Sequence, residues 1–181
     1  MDLSFLQKGA VSAARELIGW RFYKADGGTL VGGVIVETEA YNENDAASHT
    51  YRGPTPRNQV MFGPAGYIYV YFTYGMHFCV NIVAGQSGHG EAVLLRALEP
   101  DQGLEIMEQR RDRSDLTGGP AKLCQALNIT GADNGKQLNH SDVILLPPEK
   151  PLLNIKATKR IGIKRDTHRL WRFVVVQCNS E

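Results

Sequence analysis

Between Gly66 and Val83 the chain reads Gly-Tyr-Ile-Tyr-Val-Tyr-Phe-Thr-Tyr-Gly-Met-His-Phe-Cys-Val-Asn-Ile-Val, and no other stretch narrows the possible folds as far. Tyr67, Tyr69 and Tyr71 alternate with Ile68, Val70 and Phe72, the period-two pattern of a β-strand. Thr73-Tyr74-Gly75-Met76 breaks the alternation, and Gly75 can take the positive φ of a tight turn. Phe78 to Val83 then resumes as a second apolar strand. The stretch predicts a β-hairpin whose tip carries a tyrosine and a methionine.

The rest of the chain supplies more strands and a few helices. Leu3, Leu6, Ala10, Val11, Ala14, Leu17 and Ile18 recur at helical spacing and predict an amphipathic helix over 3–20, ending near Gly19. Phe22 and Tyr23 suggest a short strand before the Asp26-Gly27-Gly28 turn. Leu30 to Tyr41 reads as a strand with Val34, Val36, Thr38 and Ala40 on one face and Ile35, Glu37, Glu39 and Tyr41 on the other. A polar, turn-rich stretch runs from Asn42 to Pro56. Ala92 to Leu98 is apolar except for Arg96. Helices are expected over 104–113 and, after Gly118-Gly119-Pro120, over 121–127 with Asn128 near its end. Strands are expected at 143–146 and 171–177. Hairpin signals dominate over βαβ alternation, so the expected fold is one mixed α/β domain spanning 1–181, with a mainly antiparallel sheet and flanking helices.

Composition excludes several classes. At 181 residues, 43% hydrophobic and 22% charged, the chain is ordinary for a globular domain able to bury a core. No run reaches the length of a membrane-spanning helix, and the acidic Asp2 is unlike the basic start of an export signal. Cys79, Cys124 and Cys178 form neither a zinc pattern nor a disulfide framework, and they suit a reducing cytoplasm. His49, His77 and His89 lack zinc-site spacing, so no metal is expected. No dinucleotide, phosphate-loop or serine-nucleophile motif is present, and no cofactor is expected. Net charge is only +1, but the distribution is uneven. Lys156, Lys159, Arg160, Lys164, Arg165, Arg169 and Arg172 crowd one segment against the single acid Asp166, as a solvated face or a local phosphate footprint.

Four features could carry chemistry. Glu37 and Glu39, two apart on a strand, can present both carboxylates on one face, as a glycoside hydrolase would require, although such spacing also decorates solvent faces. Arg96 in an apolar strand needs a partner such as Glu37, Glu39 or Glu99, and could also orient a carboxylate or a water. Asn81 must find hydrogen bonds if buried, or could read the edge of a base. The apolar hairpin tip either packs under a neighbouring loop or inserts into a partner, for instance between stacked bases.

Taken together, the residues resemble the alkyladenine type of DNA-3-methyladenine glycosylase. The match runs through Val36-Glu-Thr-Glu-Ala-Tyr41, Ala47-Ser-His49, Thr55-Pro-Arg-Asn58 and Met61-Phe62. It continues through Tyr69-Val-Tyr71, Tyr74 to Asn81, Val93 to Pro100, Gly119 to Leu127, Arg160-Ile-Gly-Ile163 and Trp171-Arg-Phe173. These segments span nearly the whole chain, and their combination is highly specific. Lys159 and Leu170 depart from prolines common in relatives, which bears on local loop geometry.

The resemblance implies a monofunctional enzyme, without abasic-site lyase activity, acting on damaged double-stranded DNA. It implies a curved antiparallel sheet, a protruding hairpin, and action as a monomer in the cytoplasm, or at the nucleoid in a bacterium. Its implied substrates are 3-methyladenine, 7-methylguanine, hypoxanthine and ethenoadenine. Glu39 matches the general base that activates a water, and Arg96 the residue that helps hold that water, with a backbone carbonyl near Ile161 as a third contact. Tyr41 and Tyr71 match the aromatics that sandwich the flipped base, and His49 an opposing or edge contact. Asn81 matches the amide that disfavours normal guanine. Tyr74 matches the side chain that fills the gap left in the duplex, with Met76 and His77 beside it. A non-catalytic nucleic-acid-binding module on the same fold is the alternative; a carbohydrate hydrolase using Glu37 and Glu39 fits the aromatic tip poorly.

Overall fold

The longest strand of the computed structural model, β2 (Thr29–Tyr41), organises the sheet. The structure describes residues 1–149 and 154–176; Gln177, expected to extend the last strand, and Cys178 lie outside them. One edge of β2 pairs along its length with β5 (Ala92–Gln102). The other edge changes partner midway. Residues 29–34 pair with β1 (Arg21–Asp26), and Glu37, Thr38 and Glu39 pair with β8 (Arg172–Val176).

A bulge lies at the change of partner, with register shifts between Ile35 and Glu37 and between Glu37 and Thr38. One extra residue reverses the facing of everything beyond it. The strict alternation read from the sequence therefore fails here. Ile35 joins Ala40 in the main core, and the Thr38 hydroxyl donates to the Ala14 carbonyl beneath it at 2.7 Å. Glu37, Glu39 and Tyr41 keep the opposite face. Close approach also fixes Gly33, where a Cβ would stand 2.0 Å from the Glu99 carbonyl oxygen.

The predicted hairpin is β3 (Ile68–Thr73) and β4 (His77–Val83), antiparallel, with Tyr69 opposite Asn81 and Thr73 opposite His77. With β6 (Val143–Leu146) and the ribbon of β7 (Asn154–Thr158) and β8, these strands form an eight-stranded, wholly antiparallel sheet. Its main path runs β3-β4-β5-β2-β1-β6 and curls into a half-barrel. The mixed α/β class with a mainly antiparallel sheet is as expected; β7, hidden inside the basic segment, was not.

Three helices contribute to the main core: α1 (Ala10–Glu16), α2 (Leu104–Arg111) and α3 (Pro120–Ala126). The first falls short of the predicted 3–20 helix. Gly9 adopts φ 93°, which separates a 3-10 turn over Ser4–Lys8 from α1, and the Ala10 amide then donates to Glu91 at 2.6 Å. The apolar spacing survives the break: Leu6, Ala10, Ala14, Leu17 and Ile18 are all buried. Their core takes Ile68, Val70, Val80, Ile82, Val93 and Leu95 from the sheet, while a small second cluster of Met61, Tyr69, Val83 and Ala92 lies on the other face. Alternation along β3, β4 and β5 thus separates a packing face from a face left for chemistry.

Candidate active site

That second face opens into a cavity of about 350 Å³. Glu39, Tyr41, His49, Tyr71, Tyr74, Asn81 and Arg96 all line it. Seven residues singled out from the sequence therefore meet in one place, contributed by β2, β3, β4, β5, the loop after β2 and the hairpin tip. Met76 and His77 do not reach it; they border a separate depression beside α3.

Glu39 is fully buried. Its Oε2 accepts the Tyr41 hydroxyl at 2.7 Å, and its Oε1 accepts the Ile161 backbone N–H at 2.8 Å and lies 3.4 Å from Nη1 of Arg96. A carboxylate offers about four acceptor positions; two hydrogen bonds from the protein, with the Arg96 guanidinium as an ion-pair neighbour, leave room for a water in the cavity. Burial, reinforced by the Glu39 charge, pushes the Tyr41 phenol far above its ordinary pKa, so Tyr41 acts as a donor. The group that touches Glu39 from the 161 loop is an N–H; no sequence signal marks a particular backbone amide.

Glu37 sits outside the cavity lining. Its Oε1 accepts from Nε of Arg96 at 2.8 Å and from Nε of Arg172 at 2.6 Å. Arg96 therefore bridges the two glutamates, which settles the partner its strand position demands and leaves Glu37 committed to arginines. This arrangement removes the paired-acid basis for a carbohydrate hydrolase.

The walls are aromatic. Tyr69 and Tyr71 stack with centroids 5.5 Å apart, and His49 meets Tyr71 edge-on at 4.5 Å. His49 Nδ1 is 3.1 Å from the Tyr69 hydroxyl, which fixes the ring from below. Although exposed through the cavity mouth, His49 has enough protein around it, and Arg57 near enough, that its imidazole is held below the ordinary 6.5. Burial, aided by neighbouring Cys79, raises the Tyr71 phenol well above its usual range. Asn81 is 4% exposed and donates Nδ2 to the Tyr69 carbonyl at 3.1 Å. The supporting roles of Tyr69 and Cys79 were not assigned from the sequence, where they read only as strand residues.

The hairpin tip stands clear of the body. Tyr74 is 86% exposed and Met76 69% exposed. Tyr74 and Gly75 both have positive φ, 52° and 68°, and the Met76 amide closes the turn on the Thr73 carbonyl at 3.3 Å. Packing under a neighbouring loop is thereby excluded as the reason for an apolar tip. A bulky aromatic in left-handed backbone carries strain, as residues at functional sites often do.

An aromatic cavity closed by a buried carboxylate thus lies beside an exposed aromatic tip on an antiparallel sheet. Comparison with known proteins names the class of protein. The chain matches the methylpurine-DNA glycosylase (MPG) family over residues 4–179, and it belongs to that family. It is 47% identical over 173 residues to a protein of Agrobacterium fabrum, covering 94% of this chain and 86% of that one. A Methanoculleus marisnigri protein is 46% identical over 180 residues, covering 96% and 93%, and one from Carboxydothermus hydrogenoformans is 44% identical over 174, covering 93% and 91%. Each bears the name "Putative 3-methyladenine DNA glycosylase". The protein is a DNA glycosylase that acts on methylated purines in DNA, and the non-catalytic alternative falls. Among the described residues, no helix is long and apolar enough to cross a membrane, and no cluster of His, Cys, Asp or Glu is arranged to hold a metal ion.

Proposed function

We propose that this enzyme extrudes alkylated or deaminated purines from duplex DNA and cleaves the N-glycosidic bond with a water activated by Glu39, leaving an abasic site. Its range would take in 3-methyladenine, 7-methylguanine, hypoxanthine and ethenoadenine. One observation carries the reading: a fully buried carboxylate, held by two hydrogen-bond donors and the Arg96 guanidinium, faces an aromatic cavity of about 350 Å³.

Extrusion costs on the order of a few kcal/mol, least for a damaged or mispaired base. Stacking returns roughly 1–3 kcal/mol per base, and Tyr41 and Tyr71 supply the faces, with His49 at an edge. Tyr74 fills the vacated position, and Met76 and His77 lie against the duplex beside it. The water oxygen attacks C1′ as the bond to the purine nitrogen breaks; the bonding electrons leave with the base and the water proton passes to Glu39. A purine already cationic from alkylation leaves neutral without added acid, whereas a neutral one such as hypoxanthine leaves as its anion and takes its proton from solvent water. The Glu39 charge also stabilises the oxocarbenium-like sugar, and Arg96 fixes the carboxylate and the water. Asn81, in the cavity wall, would meet the exocyclic group of a purine there and so disfavour normal guanine. No step requires a lysine nucleophile, which supports a monofunctional enzyme. Buried free Cys79 and Cys124 suit the reducing compartment where DNA is repaired.

Single-turnover incubation with duplexes containing hypoxanthine or 7-methylguanine, followed by alkaline cleavage of abasic sites, tests the reading. Glu39→Gln should lose about 10²–10⁴-fold in excision rate while still binding the duplex. Wild-type turnover by Glu39→Gln would sink the general-base role.

A further inference from the structure

We propose that the buried Arg160–Asp45 ion pair is the positioning device of this active site, acting on the rate of base excision through Glu39 and Tyr41; the inference rests on the general-base reading of Glu39. Both side chains are wholly inaccessible to solvent, and neither lines the cavity. Arg160 Nη2 donates to Asp45 Oδ1 at 2.9 Å, while Nη1 reaches Asp45 Oδ2 and also donates to the Ala40 carbonyl at 2.9 Å. Ala40 lies between Glu39 and Tyr41 on β2. The next residue after the arginine is Ile161, whose amide holds Glu39. Asp45 starts the turn that leads to His49, accepting the Ala47 amide at 3.1 Å on its side chain and the Ser48 amide at 2.8 Å on its carbonyl.

One guanidinium therefore ties together the strand bearing the acid, the loop bearing His49 and the loop bearing the amide donor. It also covers the ring of Tyr41 at 4.6 Å and that of Trp171 at 5.3 Å. Tyr41 is thus held from its ring by a cation and from its hydroxyl by Glu39. Stability is a poor explanation for this arrangement. Removing two charges from water largely offsets their attraction, and Nε of Arg160 is buried without a hydrogen-bond partner. A planar fork can hold a carboxylate and a carbonyl at once and still lie flat on a ring, whereas a lysine ammonium can do only one of these well.

Arg160→Lys keeps the charge and loses the fork. Its single-turnover excision of hypoxanthine should fall roughly 10- to 100-fold, the scale of small misplacements in an active site. Its Kd for a duplex bearing a tetrahydrofuran abasic-site analogue should stay at the wild-type value. In the ¹H–¹⁵N spectrum the Ile161 amide should be shifted downfield in the wild type by its carboxylate acceptor, and should move upfield in Arg160→Lys. The double variant Asp45→Asn with Arg160→Met removes both charges together and avoids an unpaired buried ion; it should fold with a near-native thermal midpoint and still excise slowly. Wild-type excision rates in either folded variant, an unmoved Ile161 resonance, or a loss confined to duplex Kd would overturn the proposal. Glu39→Gln measured alongside separates the two readings: normal excision there defeats the general-base assignment, whereas a dead Glu39→Gln with fully active Arg160 variants defeats only the positioning role.

Discussion

In the proposed mechanism, His49 would set a condition on the substrate. Burial among protein atoms and the nearby Arg57 charge hold its imidazole below the ordinary 6.5, so the ring is neutral at neutral pH. A cationic purine then meets no like charge at that edge of the cavity. The sign follows directly: protonation sets in only on acidification below 6.5, and the new charge opposes a cationic base but not a neutral one. Excision of 7-methylguanine should therefore decline relative to hypoxanthine as pH falls below 6.5, and the ratio should become flat in His49→Gln. Single-turnover rates on the two duplexes across that range measure it. A ratio that ignores pH in the wild type would remove His49 from the discrimination.

At the scale of elements, the proposed function gives the hairpin two tasks on one pair of strands. Tyr71 and Asn81 belong to the cavity wall, and Tyr74, on the exposed tip, reaches the cavity lining from outside. The φ of 52° at Tyr74 separates function from stability. Tyr74→Gly relieves left-handed strain but loosens the unfolded chain, effects that nearly cancel, within about 1 kcal/mol. Its thermal midpoint should stay close to wild type, while excision from duplex DNA should fall far more than excision from a single strand, which needs no gap filled. Equal losses on both substrates would argue against a wedge. The hairpin was readable because the two-residue period and the glycine are local signals. The same rule misread β2, because the bulge beyond Ile35 arises where that edge changes partner from β1 to β8. It overextended the first helix as well, because residues on both sides of Gly9 pack into one core and so share one apolar spacing.

Across the whole molecule, a net charge of +1 means DNA affinity cannot come from bulk attraction. The basic segment does not act as one patch. Arg160 is buried on Asp45, Arg172 holds Glu37, and Arg169 covers the Trp171 ring at 4.4 Å and pairs with Asp166. Lys156, Lys159, Lys164 and Arg165 are the exposed ones. If they meet phosphates, the log–log salt dependence of duplex Kd should lose about one unit of slope for each alanine substitution at Lys164 or Arg165. Lys122→Ala, which removes a lysine paired with Asp115 outside that segment, should leave the slope unchanged. Salt titrations of Kd decide between these outcomes, and an unaltered slope in Lys164→Ala and Arg165→Ala would move the phosphate contacts elsewhere.

The sequence by itself determined the residue chemistry: a carboxylate, an arginine, tyrosines and an amide on alternating strands, and an aromatic where a hairpin turns. Side-chain type and short periods are properties of the local chain, so they can be read without coordinates. Only the tertiary structure decided which arginines remain available, which of two glutamates faces the cavity, and that the Ile161 amide holds Glu39. Ion pairs form between residues far apart in the chain, and every residue but proline carries the same N–H. Nothing local distinguishes the one that matters until the fold brings it to its acceptor.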